Sequence, residues 1–143
     1  IDQRANEIGL FALANSKNTG VIVRTPLVFG YLTGKLNGNE EFGDQDHRAN
    51  WPKDQLKHWA SATDVFSFLY KKKTPIQAAL RFCLDFDAVS TIIPGMKNSV
   101  QVKENVLSSE LSPFTENEHI EIKEIYKTHG FDDKMEKIKA SKK

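Results

Sequence analysis

Residues 20–35 read GVIVRTPLVFGYLTGK. Val21-Ile22-Val23 is a β-branched run and Pro26 would remove a ladder donor soon after it, so Val21 to Leu27 predicts a short strand leaving a sheet into a glycine-bearing turn. Val89 to Ile93 repeats the pattern as an apolar run closed by Pro94-Gly95. Asn98 with Gln101 three residues later has the spacing of a capping box that opens a helix. Strand, turn and helix therefore recur.

Helical patterns fill the intervals. Ala5, Ile8, Phe11 and Ala12, with Leu10, Leu13 and Ala14 beside them, predict one helix from Asp2 to Lys17, stopped by Asn18 to Gly20. Leu36 to His58 is mostly polar, carries Gly38, Gly43, Pro52 and two isolated tryptophans, and reads as a long lid-like loop. Ala62, Val65, Phe66, Leu69 and Tyr70 restore helical spacing up to about Lys73, where three lysines offset the C-terminal dipole. Thr74-Pro75 supplies an N-cap and a first-turn proline, and Ile76, Ala79, Leu80, Cys83 and Leu84 mark one buried face. Thr115 with Glu118 repeats the cap spacing before Ile122, Ile125 and Tyr126, and the lysine-rich end after Asp132 is expected to fray.

This order is the α/β alternation of parallel strands covered by helices. Two parallel strands alone would leave open apolar edges and little sheet core, so residues 1–143 read as a single partial domain of a larger α/β protein. The start at Ile1, which has neither a basic n-region nor an apolar h-region after it, is likewise expected to be a cut within a longer chain.

Composition narrows the partners. The 20 Lys+Arg nearly balance 19 Asp+Glu, for a net charge of +1, which provides no overall attraction to nucleic acid or acidic lipid. No apolar run approaches the roughly 20 residues needed to span a bilayer, so no membrane span is expected. Cys83 stands alone, which excludes a disulfide scaffold and fits a reducing, cytoplasmic setting.

Ligands in α/β proteins bind at the ends of strands. After the first strand, Gly30 and Gly34 let backbone N–H groups approach an anion and Lys35 adds a charge. After the second, residues 94–105 form a turn and a helix start, where unpaired N–H groups favour phosphate. Taken singly, each segment is more readily read as turn glycines, solvated lysines and a polar helix face. His47, His58, Asp44 and Asp46 lack the short regular spacing of metal ligands, Cys83 reads as an inert core thiol, and Tyr31, Tyr70 and Tyr126 as packing or surface tyrosines.

Together, GVIVRTPLVFGYLTGK, PIQAALRFCLDFDAVSTIIPGMKNSVQVKEN (75–105) and LSPFTENE (111–118) resemble the C-terminal half of an aldo-keto reductase, from Ile1 to about Tyr126. The resemblance implies a (β/α)8 TIM barrel, of which this chain would hold the helix after strand six, strands seven and eight, and the final helices. It implies NADP(H) as cofactor and reduction of a small-molecule aldehyde or ketone. By the same resemblance, Arg24 lies near the nicotinamide, while Thr25, Pro26, Leu27, Phe29, Gly30 and Lys35 wrap the pyrophosphate. Arg48 corresponds to a loop arginine that closes over the cofactor. Gly95, Lys97 and Gln101 correspond to the region holding the adenosine phosphate, and Glu104 and Asn105 to the pair on the adenine. Many members carry lysine and arginine where Gly95 and Gln101 stand; here Lys97 is expected to take over the 2′-phosphate.

The family's catalytic tyrosine, lysine, aspartate and histidine precede strand six, so no catalytic residue is assigned and the chain alone is expected to be inactive. An auxiliary nucleotide-binding subunit of the same fold, which regulates a partner, is the alternative, as is an inactive truncated product. Self-association through exposed barrel edges is expected of the isolated chain.

Overall fold

In the computed structural model, which describes residues 1–131, β1 (Val21–Arg24) and β2 (Val89–Ile93) run side by side in parallel. Parallel neighbours cannot be joined by a tight hairpin. Their connection passes through a 3-10 stretch at Val28–Thr33, another at His47–Asn50, α3 and α4, after α1 (Arg4–Glu7) and α2 (Leu10–Ser16) have preceded β1. Here α3 is Lys53–Val65, α4 Pro75–Leu84, α5 Ser99–Leu107 and α6 Glu116–Thr128. The helix-rich α/β order with two parallel strands follows the sequence pattern.

Among the described residues only one face of the sheet is covered. Val21, Val23 and Ile92 are half-buried, whereas Ile22 and Ile93 are 63% and 57% exposed on the face they share with Arg24 and Thr91. The core gathers among the helices instead. Leu32, Ala62, Phe66, Leu69, Ala78, Phe114, Ile122 and Tyr126 pack in one cluster, and Tyr31, Leu56, Trp59 and Ala60 in a second. Each fully buried large side chain contributes about 1.5–3 kcal/mol, so the helices and the Val28–Thr33 stretch hold one another largely without the bare strand face.

Caps fix the helix starts that frame the strand ends. Thr74 and Gln77 exchange side-chain and backbone bonds at 3.2 and 3.0 Å, and Thr115 and Glu118 do the same at 3.3 and 2.7 Å. The third box forms by half. Asn98 Oδ1 accepts the Gln101 N–H at 3.0 Å, but Gln101 Oε1 turns to the Lys97 N–H at 2.6 Å.

The molecule departs from the sequence pattern at several points. Gly9 adopts φ 75°, which divides the expected Asp2–Lys17 helix into α1 and α2, since glycine enters this region without a Cβ clash. β1 stops at Arg24 rather than Leu27, because Thr25 turns to φ 57°. α3 starts at Lys53, well inside the expected loop, and buries Leu56, Trp59 and Ala60, so the irregular segment is residues 36–52. The helix expected to reach Lys73 ends at Val65 and continues as a 3-10 stretch, Ser67–Lys71. α4 is covered on more than one side, with Ile76, Ala78 and Leu80 buried and Ala79, Cys83 and Leu84 half-buried. The expected frayed end, residues 132–143, lies outside the described residues. Among those described, no helix is long and apolar enough to cross a membrane.

Candidate functional site

Because the strands are parallel and Arg24 lies opposite Ile93, the segments that leave them emerge at one edge of the sheet. Arg24 is exposed on the bare face. Beyond it the backbone is unusual: Thr25, Val28 and Phe29 have φ 57°, 48° and 57°, and Gly30 follows at 101°. A left-handed conformation at a β-branched residue costs on the order of 1–3 kcal/mol and persists only where its surroundings impose it. Here Pro26 is buried, and the N–H groups of Val28, Gly30 and Leu32 bond back to the carbonyls of Thr25, Leu27 and Leu27 at 3.0, 3.0 and 3.2 Å. The Val28 and Gly30 amides are therefore engaged inside the turn rather than turned outward to an anion. Lys35 is exposed beyond Gly34, with its own N–H on Thr33 Oγ1 at 3.3 Å.

The 36–52 segment is ordered by polar contacts and lies against this turn. Glu40 Oε1 accepts the Asn37 N–H at 2.6 Å, and Oε2 accepts the Gly38 N–H at 3.0 Å and the Tyr31 hydroxyl at 3.4 Å. Burial opposes the Glu40 charge, but these bonds outweigh it and hold the carboxyl below its ordinary range. Gly38 is required by space and conformation, for at φ 85° an added Cβ would stand 2.5 Å from the Lys57 backbone.

Farther along, Arg48 Nε and Nη2 bond Asp46 at 3.0 and 2.6 Å, its Cζ lies 4.2 Å from the Phe42 ring centroid, and Nη1 reaches the Phe29 carbonyl at 3.4 Å. The hydrogen bonds from Arg48 keep the Asp46 carboxyl far below the usual carboxylate range. Phe29 also meets His47, Trp51 and Trp59, with centroids 4.8, 6.0 and 5.7 Å apart. Arg48, Phe29 and Gly30, far apart in sequence, are thus neighbours.

At the end of β2, Gly95 is exposed, with open space where a Cβ would lie, and Lys97 is exposed. The Gln101 oxygen is engaged by Lys97 N–H, so a ligand would meet this residue through its amide nitrogen. Glu104 Oε1 accepts the Thr74 hydroxyl at 2.8 Å, which ties α5 to the start of α4. Asn105 is 8% exposed and its Nδ2 has no hydrogen-bond partner among the described residues. An orphaned buried donor costs about 1–3 kcal/mol unless something accepts from it. The acceptor nitrogens of a purine ring suit this donor, and phosphate oxygens suit the Arg48 guanidinium seated on the Phe29 carbonyl, so the residues present fit a dinucleotide.

Two cavities flank β1 among the described residues. One of about 170 Å³ sits between β1 and α4, and Arg24, Thr25, Pro26 and Val28 of the strand end line it together with Tyr70 and Cys83. The other, of about 270 Å³, lies between α2 and the strands. Neither is lined by Lys97, Glu104 or Asn105. Burial pushes the Cys83 thiol up to about 11, which keeps it protonated and unreactive at neutral pH. Among the described residues no three His, Cys, Asp or Glu side chains gather as a metal ion would need; His58 packs on Phe131 with centroids 4.6 Å apart.

Asp46, Phe42 and Glu40 belong to this assembly although no sequence pattern singled them out as ligand-binding. The one local signal was the Asp46-x-Arg48 spacing, which allows a carboxylate to cap the backbone and grip the arginine together.

The aldo/keto reductase family model matches residues 2–127. Among curated proteins, aldo-keto reductase str7 of Strobilurus tenacellus is 28% identical over 111 residues, covering 74% of this chain and 33% of that protein. Among solved structures, the apo form of aldo-keto reductase AKR11C1 from Bacillus halodurans superposes with a TM-score of 0.60 at 27% identity, covering 87% of this chain and 40% of that one. The holo form gives the same TM-score and identity and is covered to 38%. The chain therefore spans about a third to two-fifths of the length of these relatives.

Proposed function

Since the chain belongs to the aldo/keto reductase family and forms part of its barrel, we propose that it carries the nucleotide-binding half of an NADP(H)-dependent oxidoreductase acting on an aldehyde or ketone. The observation that carries this reading is the strained Thr25–Gly30 turn with the Arg48 guanidinium against it, at the sheet edge from which Lys97 and Asn105 also emerge. Hydride chemistry belongs to the dinucleotide; the protein binds and orients it. Arg48, seated on the left-handed turn, holds the pyrophosphate, Lys97 the adenosine phosphate, and Asn105 donates to the adenine, beside Glu104. Arg24, on the bare face that would point into a complete barrel, lies at the nicotinamide end. The uncovered Ile22 and Ile93, with Ile8 and Leu13 of the α1–α2 region, are where further barrel elements would pack, and where copies of the isolated chain would associate.

Proton transfer to a carbonyl oxygen needs a donor tuned toward the working pH. Burial, reinforced by Glu40, pushes Tyr31 up to about 12; burial, reinforced by Asp64, does the same to Tyr70; Tyr126 is wholly buried. We assign none of them as the acid. The 143-residue chain is therefore expected to bind NADPH without oxidising it in the presence of an aldehyde panel, as followed by dinucleotide absorbance. Turnover above a protein-free control would overturn this division of roles, and absence of NADPH binding would overturn the nucleotide reading itself.

A further inference from the structure

A guanidinium can offer its five N–H groups side-on, through Nε and Nη2, or end-on, through Nη1 and Nη2. Asp46 takes the side-on pair of Arg48, at 3.0 and 2.6 Å, and its Oδ1 also accepts the Arg48 backbone N–H at 3.0 Å. The Phe42 ring lies 4.2 Å from Cζ, and the third bond, to the Phe29 carbonyl at 3.4 Å, places the charge on the left-handed turn. Among the described residues those three bonds use one N–H each of Nε, Nη1 and Nη2, so each terminal nitrogen keeps a second N–H. Arg48 and Asp46 side chains are only 25% and 28% exposed, so the pair is shielded on most sides.

We propose that Asp46 is a positioning residue of the nucleotide site: it grips Arg48 side-on so that the remaining N–H groups of Nη1 and Nη2 are presented, already oriented, to phosphate oxygens over the Phe29–Gly30 turn. The assignment rests on the reading that this turn binds the dinucleotide pyrophosphate. Its physical basis is preorganisation, because an exposed arginine would lose rotamer freedom on meeting the anion, whereas one held by a carboxylate and a ring has lost it already.

The sign of one substitution separates this role from simple electrostatics. Asp46 is a negative charge beside an anion site, so by Coulomb's law alone Asp46→Asn would tighten NADPH binding. Positioning requires the opposite, a loss of about tenfold, the size of one charge-assisted hydrogen bond made poorly. Asp46→Glu, which keeps the charge and can still grip the fork, is expected to recover part of that loss. In an Arg48→Lys background, where no side-on pair exists, Asp46→Asn should add no further loss.

The free protein provides a second readout. The Arg48 Nε–H resonance is expected to exchange slowly with water in wild type and to lose that protection in Asp46→Asn, while the near-ultraviolet circular dichroism of Trp51 and Trp59 stays unchanged if the turn remains folded. Tighter or equal NADPH binding by Asp46→Asn, with wild type binding normally, overturns the positioning role alone. A wild-type chain that binds no dinucleotide overturns the parent reading and this assignment with it.

Discussion

Asp85→Ala is expected to lower the unfolding free energy by about 3–5 kcal/mol, the cost of removing one partner from a buried ion pair. The Asp85 side chain is 2% exposed and fully engaged. Its Oδ1 accepts Arg81 Nε at 2.7 Å, and its Oδ2 accepts the Phe114 N–H at 2.8 Å and lies 2.9 Å from His119 Nε2. A carboxylate at the C-terminal end of α4 opposes the helix dipole, so it is held there by these partners rather than by the helix. Without it, Arg81, at 11% side-chain exposure, keeps its charge with only the Leu84 and Leu111 carbonyls among the described residues to answer it, and α6 loses its polar tie to α4 and keeps the apolar one. Urea unfolding followed by tryptophan emission measures the loss. A change under about 1 kcal/mol, the range of an exposed pair, would show that the network does not hold α6.

Lys97→Ala should weaken NADPH about tenfold to a hundredfold and leave NADH nearly unchanged, since a charge-assisted bond contributes about 1.5–3 kcal/mol and NADH lacks the 2′-phosphate. The Gln101 oxygen fixes the Lys97 backbone at 2.6 Å, while the lysine itself is exposed beside the open space at Gly95. Neither Gly95 nor Gln101 adds a charge, so the proposed reading assigns discrimination for the phosphate to Lys97. Titration of both dinucleotides into wild type and variant separates the readings: equal losses for the two, or none for either, would mean that Lys97 does not read the phosphate.

The strands, the Thr74 and Thr115 caps and the strand-end position of the candidate site were legible in the sequence, because each rests on local chemistry: β-branched runs, a hydroxyl three residues before an acid or amide, a proline-glycine pair. The break at Gly9 was hidden by apolar spacing that continues across it, although a glycine in mid-helix was its signal. α3 was foreshortened because its first turns are polar, and Leu56, Trp59 and Ala60, at helical spacing, were read with the glycines of the loop before them. The buried Asn105 donor depends on tertiary packing, and the meeting of Arg48 with Phe29 joins residues that no short pattern spans. Asp46 was visible only as a solvated acid; its role needs the guanidinium geometry.

The central claim is that the segments after β1 and β2 form one dinucleotide site. It is tested most directly by two-dimensional N–H correlation spectra of the 143-residue chain recorded during an NADPH titration. Saturable shifts are expected at Phe29 and Gly30, at the Arg48 side chain, along Lys97 to Gln101 and at the Asn105 side-chain amide, all with a common dissociation constant. Shifts confined to the cavity around Tyr70 and Cys83, or no saturable shift at either strand end, would contradict it.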